Sequence, residues 1–478
     1  MSVQSESVAL RHNSVGTFEV AALSFSGLAP TMAMALGTSF AALEAGSAAP
    51  LSYLLAMVGS LALGYVFVVF ARRIAASGVA FTYLGAVFGK TVGFVAGWIY
   101  AGGWLFATSV VLAISSDSIS ALLAEAHANV SWFPIFVILT IIVLVLNILG
   151  VNLSLRTQLT LELVSVATLF LVMLAVVIHG GASGNSWAPF SPSSSPKGWG
   201  GIGFGMIYGF SAFAGFEAGT ALGLESKNPT RTIPVAVIGS LVISAVFYVF
   251  VTYALSIGYG VNHAAAWAND PVPLDTITKR YVSAGMASVV DAMVAVSAFS
   301  AGMGVITLST RVFYAIARMG LAPAAVMRTH PKYKSPYVAI LLGGLFSFAL
   351  GAGLGLTAGP GVLIGVMAGA TTLGFIAIYA GIAVAAMWAF GRRAGSLSTS
   401  VIRFGIPIVA VVLLAFAFYA SVIPQPPFPY SLSPLLVVLW ALVGVFLAWL
   451  QRNRGQAPSL DSSAFEAGIE AQPGSVAT

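Results

Sequence analysis

Long apolar segments separated by short polar stretches run along most of this chain. Two of them, Phe136–Leu149 and Val235–Leu255, carry few polar side chains. A helix needs about 20 mostly apolar residues to cross a bilayer, whereas membrane-spanning strands alternate apolar and polar positions. The pattern therefore predicts an all-α integral membrane protein with twelve spanning helices. They are predicted near residues 18–43, 50–71, 91–123, 132–151, 157–179, 201–224, 234–260, 283–315, 336–357, 360–390, 404–423 and 431–451.

The segments between the predicted helices differ in composition. Residues 180–200 are rich in Ser, Pro and Gly, and the polar residues 261–281 predict a loop. The C-terminal residues 453–478 are rich in Ser, Gly and Ala, a composition that predicts a disordered tail.

The overall composition indicates that lipid is the solvent for most of the surface. Hydrophobic residues make up 59% of the 478 residues and charged residues only 7%, whereas soluble domains carry about 25% charged residues. The chain has no cysteine, which excludes disulfides, thiol catalysis and Cys-ligated metal sites.

Basic residues are distributed unequally between the two sides of the predicted membrane. With the N-terminus in the cytoplasm, seventeen of the twenty Lys and Arg residues fall on the cytoplasmic side, and Lys197, Lys279 and Arg280 do not. Because cytoplasmic loops carry an excess of Lys and Arg, we expect a multi-pass protein of the bacterial inner membrane with both termini in the cytoplasm. The net charge of +6 then reflects topology and does not predict nucleic acid binding.

Two predicted helices are interrupted by Gly and Pro. Pro30 in the first lies 20 residues before Pro50, and Gly215 in the sixth lies 19 residues before Pro234. These matched positions indicate two halves of five helices, inverted relative to each other in the membrane. Interrupted helices at corresponding positions of inverted repeats mark the binding site of many transporters. Freed backbone N–H and C=O groups suit an amino acid zwitterion, although small residues also serve helix packing.

A longer motif lies around the sixth predicted helix. Phe213–Glu217 reads F-A-G-F-E, and Glu225–Pro234 reads E-S-K-N-P-T-R-T-I-P. This pair resembles the sixth-helix signature of the amino acid–polyamine–organocation (APC) permeases, and the resemblance covers about residues 15–450. It implies a LeuT-type fold of five-plus-five inverted repeats with two extra helices. It also implies secondary transport of an amino acid or related amine by alternating access.

The implied fold divides the chain into five parts. They are a cytoplasmic segment 1–16, a first repeat 17–179, a second repeat 201–390, two further helices within 404–452, and the tail 453–478.

The sequence departs from the APC pattern at functional positions. The fifth helix, 157–179, has no lysine where many members carry one in place of a sodium ion, and the matching position is Ser165. Aromatic gate positions of the arginine/agmatine antiporters match Ser211 and Ile306. We therefore expect a neutral amino acid as the solute, with a polyamine or other organocation as the alternative.

The candidate site residues surround the two interruptions. The candidate substrate-binding residues are Ser26, Gly27, Ala29, Pro30, Thr31, Met32, Trp104, Phe210, Ser211, Phe213, Ala214 and Gly215. Candidates for ion or proton coupling are Glu217 and the hydroxyls of Ser165, Ser297 and Ser300. Glu217 is expected either to carry a proton or to be a structural carboxylate that hydrogen-bonds free backbone of the first helix. Coupling to H⁺, coupling to Na⁺ and exchange all stay open at this point.

Other function classes are a non-transporting sensor or channel-like protein of the same fold, and a membrane enzyme. The sequence contains no G-x-S-x-G, H-E-x-x-H or Walker motif, so neither enzymatic activity nor a cofactor or metal is expected. Glu162 and Asp291 are further acidic residues inside predicted helices, where ionisable groups are functional candidates. The expected partners are a small solute and the lipid bilayer, and the oligomeric state stays open.

Overall fold

The structure is a computed structural model that describes ten parts of the chain. These are residues 16–35, 37–72, 79–150, 155–182, 184–222, 226, 228–318, 324–333, 335–390 and 401–453. The predicted disordered tail lies outside the described residues from 454 onward, as do residues 1–15 and the motif residues Glu225 and Lys227.

Regular secondary structure in the described part of the chain is helical, which confirms the predicted all-α class. In chain order the helices are α1 (Thr17–Leu28), α2 (Pro30–Ala35), α3 (Gly37–Ala45), α4 (Ala49–Ala71), α5 (Val79–Phe88), α6 (Lys90–Glu125), α7 (Trp132–Ile148), α8 (Leu155–Ile178), α9 (Gly198–Phe213), α10 (Pro229–Tyr259), α11 (Ala264–Ala268), α12 (Pro273–Tyr281), α13 (Ala284–Arg318), α14 (Tyr337–Ala358), α15 (Pro360–Phe390), α16 (Ile406–Val422) and α17 (Leu432–Asn453).

The helix lengths agree with a protein that crosses the membrane many times. Among the described residues, nine helical stretches are long and apolar enough to span a bilayer. Val20–Ala35 and Trp132–Ile148 are shorter apolar helices. On α17, the side chains of Leu442 and Phe446 are 58% and 55% exposed. Large apolar side chains on an outer surface fit contact with lipid rather than with water.

The first predicted helix is interrupted next to Pro30. Helix α1 ends at Leu28, Ala29 has a φ of 40°, and α2 begins at Pro30. Proline suits the first position of a helix, because the N–H that it lacks would have no partner within the helix. A positive φ is uncommon for a residue with a Cβ atom, and Ala29 is fully buried where packing holds it.

The sixth predicted helix is interrupted at Ala214 and Gly215. Helix α9 ends at Phe213, Ala214 has an extended backbone with a ψ of 136°, and Gly215 has a φ of 98°. The chain then continues as a 3₁₀ helix over Phe216–Leu222. Glycine reaches this φ without steric cost, so the residue type itself explains where the helix stops.

The polar segment 261–281 was predicted to be a loop, and this prediction was wrong for part of its length. It contains α11 and α12. Helix α12 has Pro273 at its N-terminus, Asp275 in its first turn and Lys279 in its last turn. Negative charge near the start and positive charge near the end of a helix stabilise it through the helix dipole. This short helix is therefore supported by charge at its ends and by burial of Leu274 and Ile277 on one face, rather than by a long apolar run.

Candidate functional site

The two interrupted helices meet at their breaks. A Cβ atom placed on Gly27 would lie 2.7 Å from the carbonyl oxygen of Gly215 and 3.3 Å from the Cβ of Ala218. A Cβ on Gly215 would in turn collide with the carbonyl group of Gly27. The backbones can approach this closely only because both residues lack a side chain.

A tyrosine that the sequence analysis did not select joins the two breaks. The hydroxyl of Tyr248 on α10 donates to the carbonyl oxygen of Ala212 at 2.9 Å and lies 3.4 Å from that of Leu28. Both carbonyl groups stand at the ends of interrupted helices, where helix hydrogen bonding stops. Tyr248 is completely buried, so it supplies a partner for backbone that water does not reach.

A cavity of about 60 Å³, measured for water-sized molecules, lies between the breaks and the helices packed around them. We call it the central cavity. It is lined by Gly27, Leu28, Met32, Trp104, Ala107, Val110, Val111, Ser211, Ala214, Ala301, Val305, Ala368, Thr371 and Phe375. Most of these side chains are aliphatic or aromatic, and Ser211 and Thr371 contribute the hydroxyl groups. Among the described residues, the lining includes no ionisable side chain.

The predicted substrate-binding residues divide into those that line this cavity and those beside it. Gly27, Met32, Trp104, Ser211 and Ala214 line it. Gly215 packs against Gly27, and Ala29 and Pro30 form the first break. The contact of all these residues with a solute remains a prediction.

The remaining predicted residues are buried in the surrounding core. The ring of Phe213 packs edge-on against Tyr248, with 5.0 Å between ring centroids. Phe210 packs against Gly59 of α4, where an added Cβ would lie 2.7 Å from the ring. Ser26 is buried, and its hydroxyl has no hydrogen-bond partner among the described residues. Phe213 and Phe210 therefore contribute to packing behind the cavity.

Three helices, α2, α8 and α13, bring polar groups together beside the first break. Ser297 on α13 donates to Oε1 of Glu162 on α8 at 2.7 Å and accepts a hydrogen bond from the backbone N–H of Met32 at 3.3 Å. Thr31 donates to the hydroxyl of Ser165 at 2.9 Å, and Ser165 donates to the carbonyl oxygen of Glu162 at 2.9 Å. We call these five residues the Glu162 cluster. The predicted coupling residues Ser165 and Ser297 thus lie together.

Glu162 is the member of this cluster whose importance the sequence analysis underestimated. Its side chain is 1% exposed, and Oε2 has no hydrogen-bond partner among the described residues. An ionised carboxylate at such a position has a high desolvation cost unless a cation or a proton compensates it. The sequence signal for a functional role was an ionisable side chain inside a predicted apolar helix. Ser300 is also buried, but the hydrogen bonds that build the cluster do not include it.

Glu217 is held by two tyrosines from distant parts of the chain. The hydroxyls of Tyr100 on α6 and Tyr379 on α15 donate to its Oε1 at 2.9 Å and 2.7 Å. From the sequence we expected either a proton carrier or a carboxylate bonded to free backbone of the first helix. The hydrogen bonds at Oε1 come from the two tyrosines, and Oε2 has no partner among the described residues, so the choice between these roles remains a prediction. Glu217 is completely buried and lies in the 3₁₀ segment that follows Gly215. The arrangement ties this segment to α6 and α15.

Comparison with known proteins agrees with this architecture. The family model for amino acid permeases matches residues 15–447. The branched-chain amino acid permease BcaP of Bacillus subtilis is 27% identical over 356 residues, covering 70% of this chain and 74% of that protein. The methylthioribose transporter of the same organism is 23% identical over 479 residues, covering 95% and 96%.

A solved structure shares the fold. The Eremococcus coleocola manganese transporter, crystallised as its H236A mutant, superimposes with a TM-score of 0.55 over 90% of this chain and 94% of that one, at 14% identity. The predicted LeuT-type fold is therefore correct. Fold and site together define a multi-pass secondary transporter, not an enzyme. The chain belongs to the amino acid permease family.

Proposed function

We propose that this protein transports a neutral amino acid with an aliphatic side chain and couples its uptake to protons through Glu162. The observation that carries the solute class is the lining of the central cavity. Val110, Val111, Val305 and Phe375 surround a space that also borders Gly27 and Leu28, just before the first helix break. Burial of aliphatic surface against such a wall favours binding by about 25 cal/mol per Å².

A cationic side chain would have no counter-ion in this cavity. The described lining residues carry no carboxylate. Glu217, whose Oε1 accepts two tyrosine hydroxyls and whose Oε2 has no hydrogen-bond partner among the described residues, is not one of them. Burying an unpaired charge is costly. These facts favour a neutral amino acid over a polyamine, and BcaP of Bacillus subtilis, a relative of this chain, is named as a branched-chain amino acid permease.

The solute is expected to enter by rearrangement of the broken helices. The central cavity measures about 60 Å³ for water-sized molecules, which is room for a few waters but not for an amino acid. Alternating access supplies the space when one repeat rocks against the other around a fixed site. The backbone groups freed near Leu28 and Ala214 are then available for the ammonium and carboxylate groups of the solute.

The Glu162 cluster is arranged to take up a proton. Each of its hydroxyls already donates to an acceptor, and the Oε2 atom of Glu162 is left without a partner. Protonation there removes the buried charge and needs no new ligand. The cluster also holds Thr31 and the Met32 amide of α2, so a change in the charge of Glu162 acts directly on the first break.

Reconstituted transport tests this proposal. Purified protein in liposomes is given leucine, valine, lysine, putrescine or methylthioribose under an inward H⁺ gradient, an inward Na⁺ gradient or no gradient. We expect saturable leucine or valine accumulation driven by H⁺, together with counterflow. Accumulation driven by Na⁺ alone would contradict proton coupling. Uptake of putrescine or methylthioribose in place of leucine would contradict the proposed solute, and binding without counterflow would indicate a sensor.

In the proposed orientation both termini lie in the cytoplasm of a bacterial cell. The distribution of Lys and Arg supports this arrangement. Helix α12 and the C-terminal end of α6 then face the outside.

A further inference from the structure

A second cavity lies where the C-terminal half of α6, the short helix α12 and the first half of α13 meet. We call it the acidic cavity. The side chains of Asp117, Asp275 and Asp291 line it, one from each of these helices. None of the residues that line it also lines the central cavity. The role proposed below does not rest on the proposed solute or on proton coupling.

Two of the three aspartates are deeply buried and incompletely paired. Asp275 is 7% exposed and Asp291 is 6% exposed. Neither Oδ1 of Asp275 nor Oδ2 of Asp291 has a hydrogen-bond partner among the described residues, and both atoms are shielded from solvent. Two unpartnered carboxylate oxygens at one cavity carry a desolvation cost that a bound cation would offset.

The protein supplies only part of that compensation. Lys279 contacts Glu125 at 2.6 Å and Asp275 at 2.9 Å, so its ammonium is already shared between two carboxylates. The guanidinium of the neighbouring Arg280 donates to the carbonyl oxygen of Gly258 instead. With Asp117 and Asp291 included, four carboxylates therefore face one ammonium group.

The geometry suits an inorganic ion. One carboxylate oxygen each from Glu125, Asp275 and Asp291 lie within 4.8 Å of one another. The cavity measures about 30 Å³ for water-sized molecules, which accommodates an ion with a water but excludes an organic amine. All the side-chain ligands are oxygen atoms, which hard cations prefer, and calcium tolerates irregular coordination better than magnesium does.

We propose that the acidic cavity is a calcium-binding site that ties α12 to α6 and α13. A divalent ion offsets two of the three uncompensated negative charges. In the proposed orientation the site faces the outside, where calcium sites commonly have dissociation constants of about 0.1–1 mM. Binding there restrains α12, which packs against α13 and is joined to α6 through Lys279 and Glu125. It thereby stabilises the outer face of the transporter.

The test measures the unfolding temperature of the purified full-length protein against Ca²⁺ concentration, without solute. A ligand that binds only the folded state raises this temperature by mass action. We expect a saturable rise for the unaltered protein and a smaller one with Mg²⁺. Asp291→Asn should weaken the apparent affinity for Ca²⁺ by at least about tenfold, since even outer-shell changes cost 10–100-fold. Glu44→Gln is the control, because Glu44 pairs with Lys197 away from the cavity.

Several results would overturn the proposal. One is the absence of any Ca²⁺-dependent rise up to about 10 mM, well above the expected dissociation constant. Another is an unchanged affinity in both Asp291→Asn and Asp275→Asn. Each variant is first checked for a single cooperative unfolding transition in the absence of Ca²⁺. If Asp291→Asn does not fold, Asp275→Asn provides the same comparison, because its Oδ1 is the other unpartnered oxygen.

Discussion

Gly27 and Gly215 lie backbone against backbone, so that a Cβ on Gly27 would stand 2.7 Å from the carbonyl oxygen of Gly215. These glycines belong to different interrupted helices and are 188 residues apart in the chain (215 − 27). Their contact places the two breaks next to each other, and the central cavity opens beside them. The position of the proposed solute site therefore depends on two residues that have no side chain.

Replacement of Gly215 by alanine should destabilise the protein and abolish transport. The residue has a φ of 98°, and a Cβ there would collide with Gly27. We expect a loss of about 1–3 kcal/mol in the free energy of unfolding, the usual range for strained backbone. Thermal unfolding and leucine uptake measure the two effects.

Gly239→Ala is the matched control for that substitution. Gly239 lies within α10, and a Cβ there would meet no atom within 4 Å. Alanine in a helix interior should stabilise by about 0.5–1 kcal/mol. Equal unfolding temperatures for the Gly215 and Gly239 variants would refute the close packing of the two breaks.

Glu162→Gln should separate exchange from accumulation. The amide keeps the shape of the side chain but cannot release a proton, so H⁺-driven accumulation should fall to the level of the gradient-free control, while counterflow persists. Thr168→Val on the same helix is the control, since Thr168 is half-buried and its hydroxyl donates within its own helix to the carbonyl oxygen of Val164. Full accumulation by Glu162→Gln would exclude Glu162 as the proton carrier.

The tyrosines around Glu217 should contribute to stability. Tyr100→Phe or Tyr379→Phe removes one of two hydroxyls that donate to a buried carboxylate. Removing a partner from a buried polar group costs about 1–3 kcal/mol, and unfolding measurements should show a loss of that size for each variant. Tyr419→Phe, at a residue that is 57% exposed, serves as control. No loss in either buried variant would contradict the structural role of Glu217.

The solute preference should respond to polarity in the central cavity. Val111→Thr keeps the size of the side chain but adds a hydroxyl to the apolar lining. Burying an unpaired hydroxyl costs about 1–3 kcal/mol in proteins, so the KM for leucine should rise by about tenfold or more. Val412→Thr on the outer face of α16, at a residue that is 57% exposed, should leave KM unchanged. An unchanged KM for Val111→Thr would place the solute elsewhere.

Single-cysteine labelling can determine the orientation, because the chain has no cysteine of its own. Ser193→Cys lies in an exposed part of the segment between α8 and α9, and we expect a membrane-impermeant maleimide to label it on intact cells. Ser475→Cys in the C-terminal tail should react only after the cells are opened. The reverse pattern would invert the proposed topology.

Much of the architecture could be predicted from the sequence. Apolar runs fix where helices must lie, because an exposed backbone hydrogen-bonding group in lipid is too costly. Pro30 and Gly215 predict the two breaks, because proline lacks a backbone N–H and glycine lacks a Cβ atom. The helices are interrupted beside both residues. Helix α12 was missed because it is short and its buried apolar residues, Leu274 and Ile277, stand among polar and charged ones.

The partners of the polar residues were decided by the tertiary structure alone. Ser297 and Glu162 are 135 residues apart, and Glu217 finds its tyrosines 117 and 162 residues away. Such contacts depend on how each helix is rotated about its axis and which neighbours it packs against. The residue types in the chain thus determined that this is a membrane protein with two interrupted helices and with carboxylates inside its helices. Helix packing determined which hydroxyls those carboxylates meet and which apolar side chains enclose the central cavity, because that packing is fixed by all the helices together.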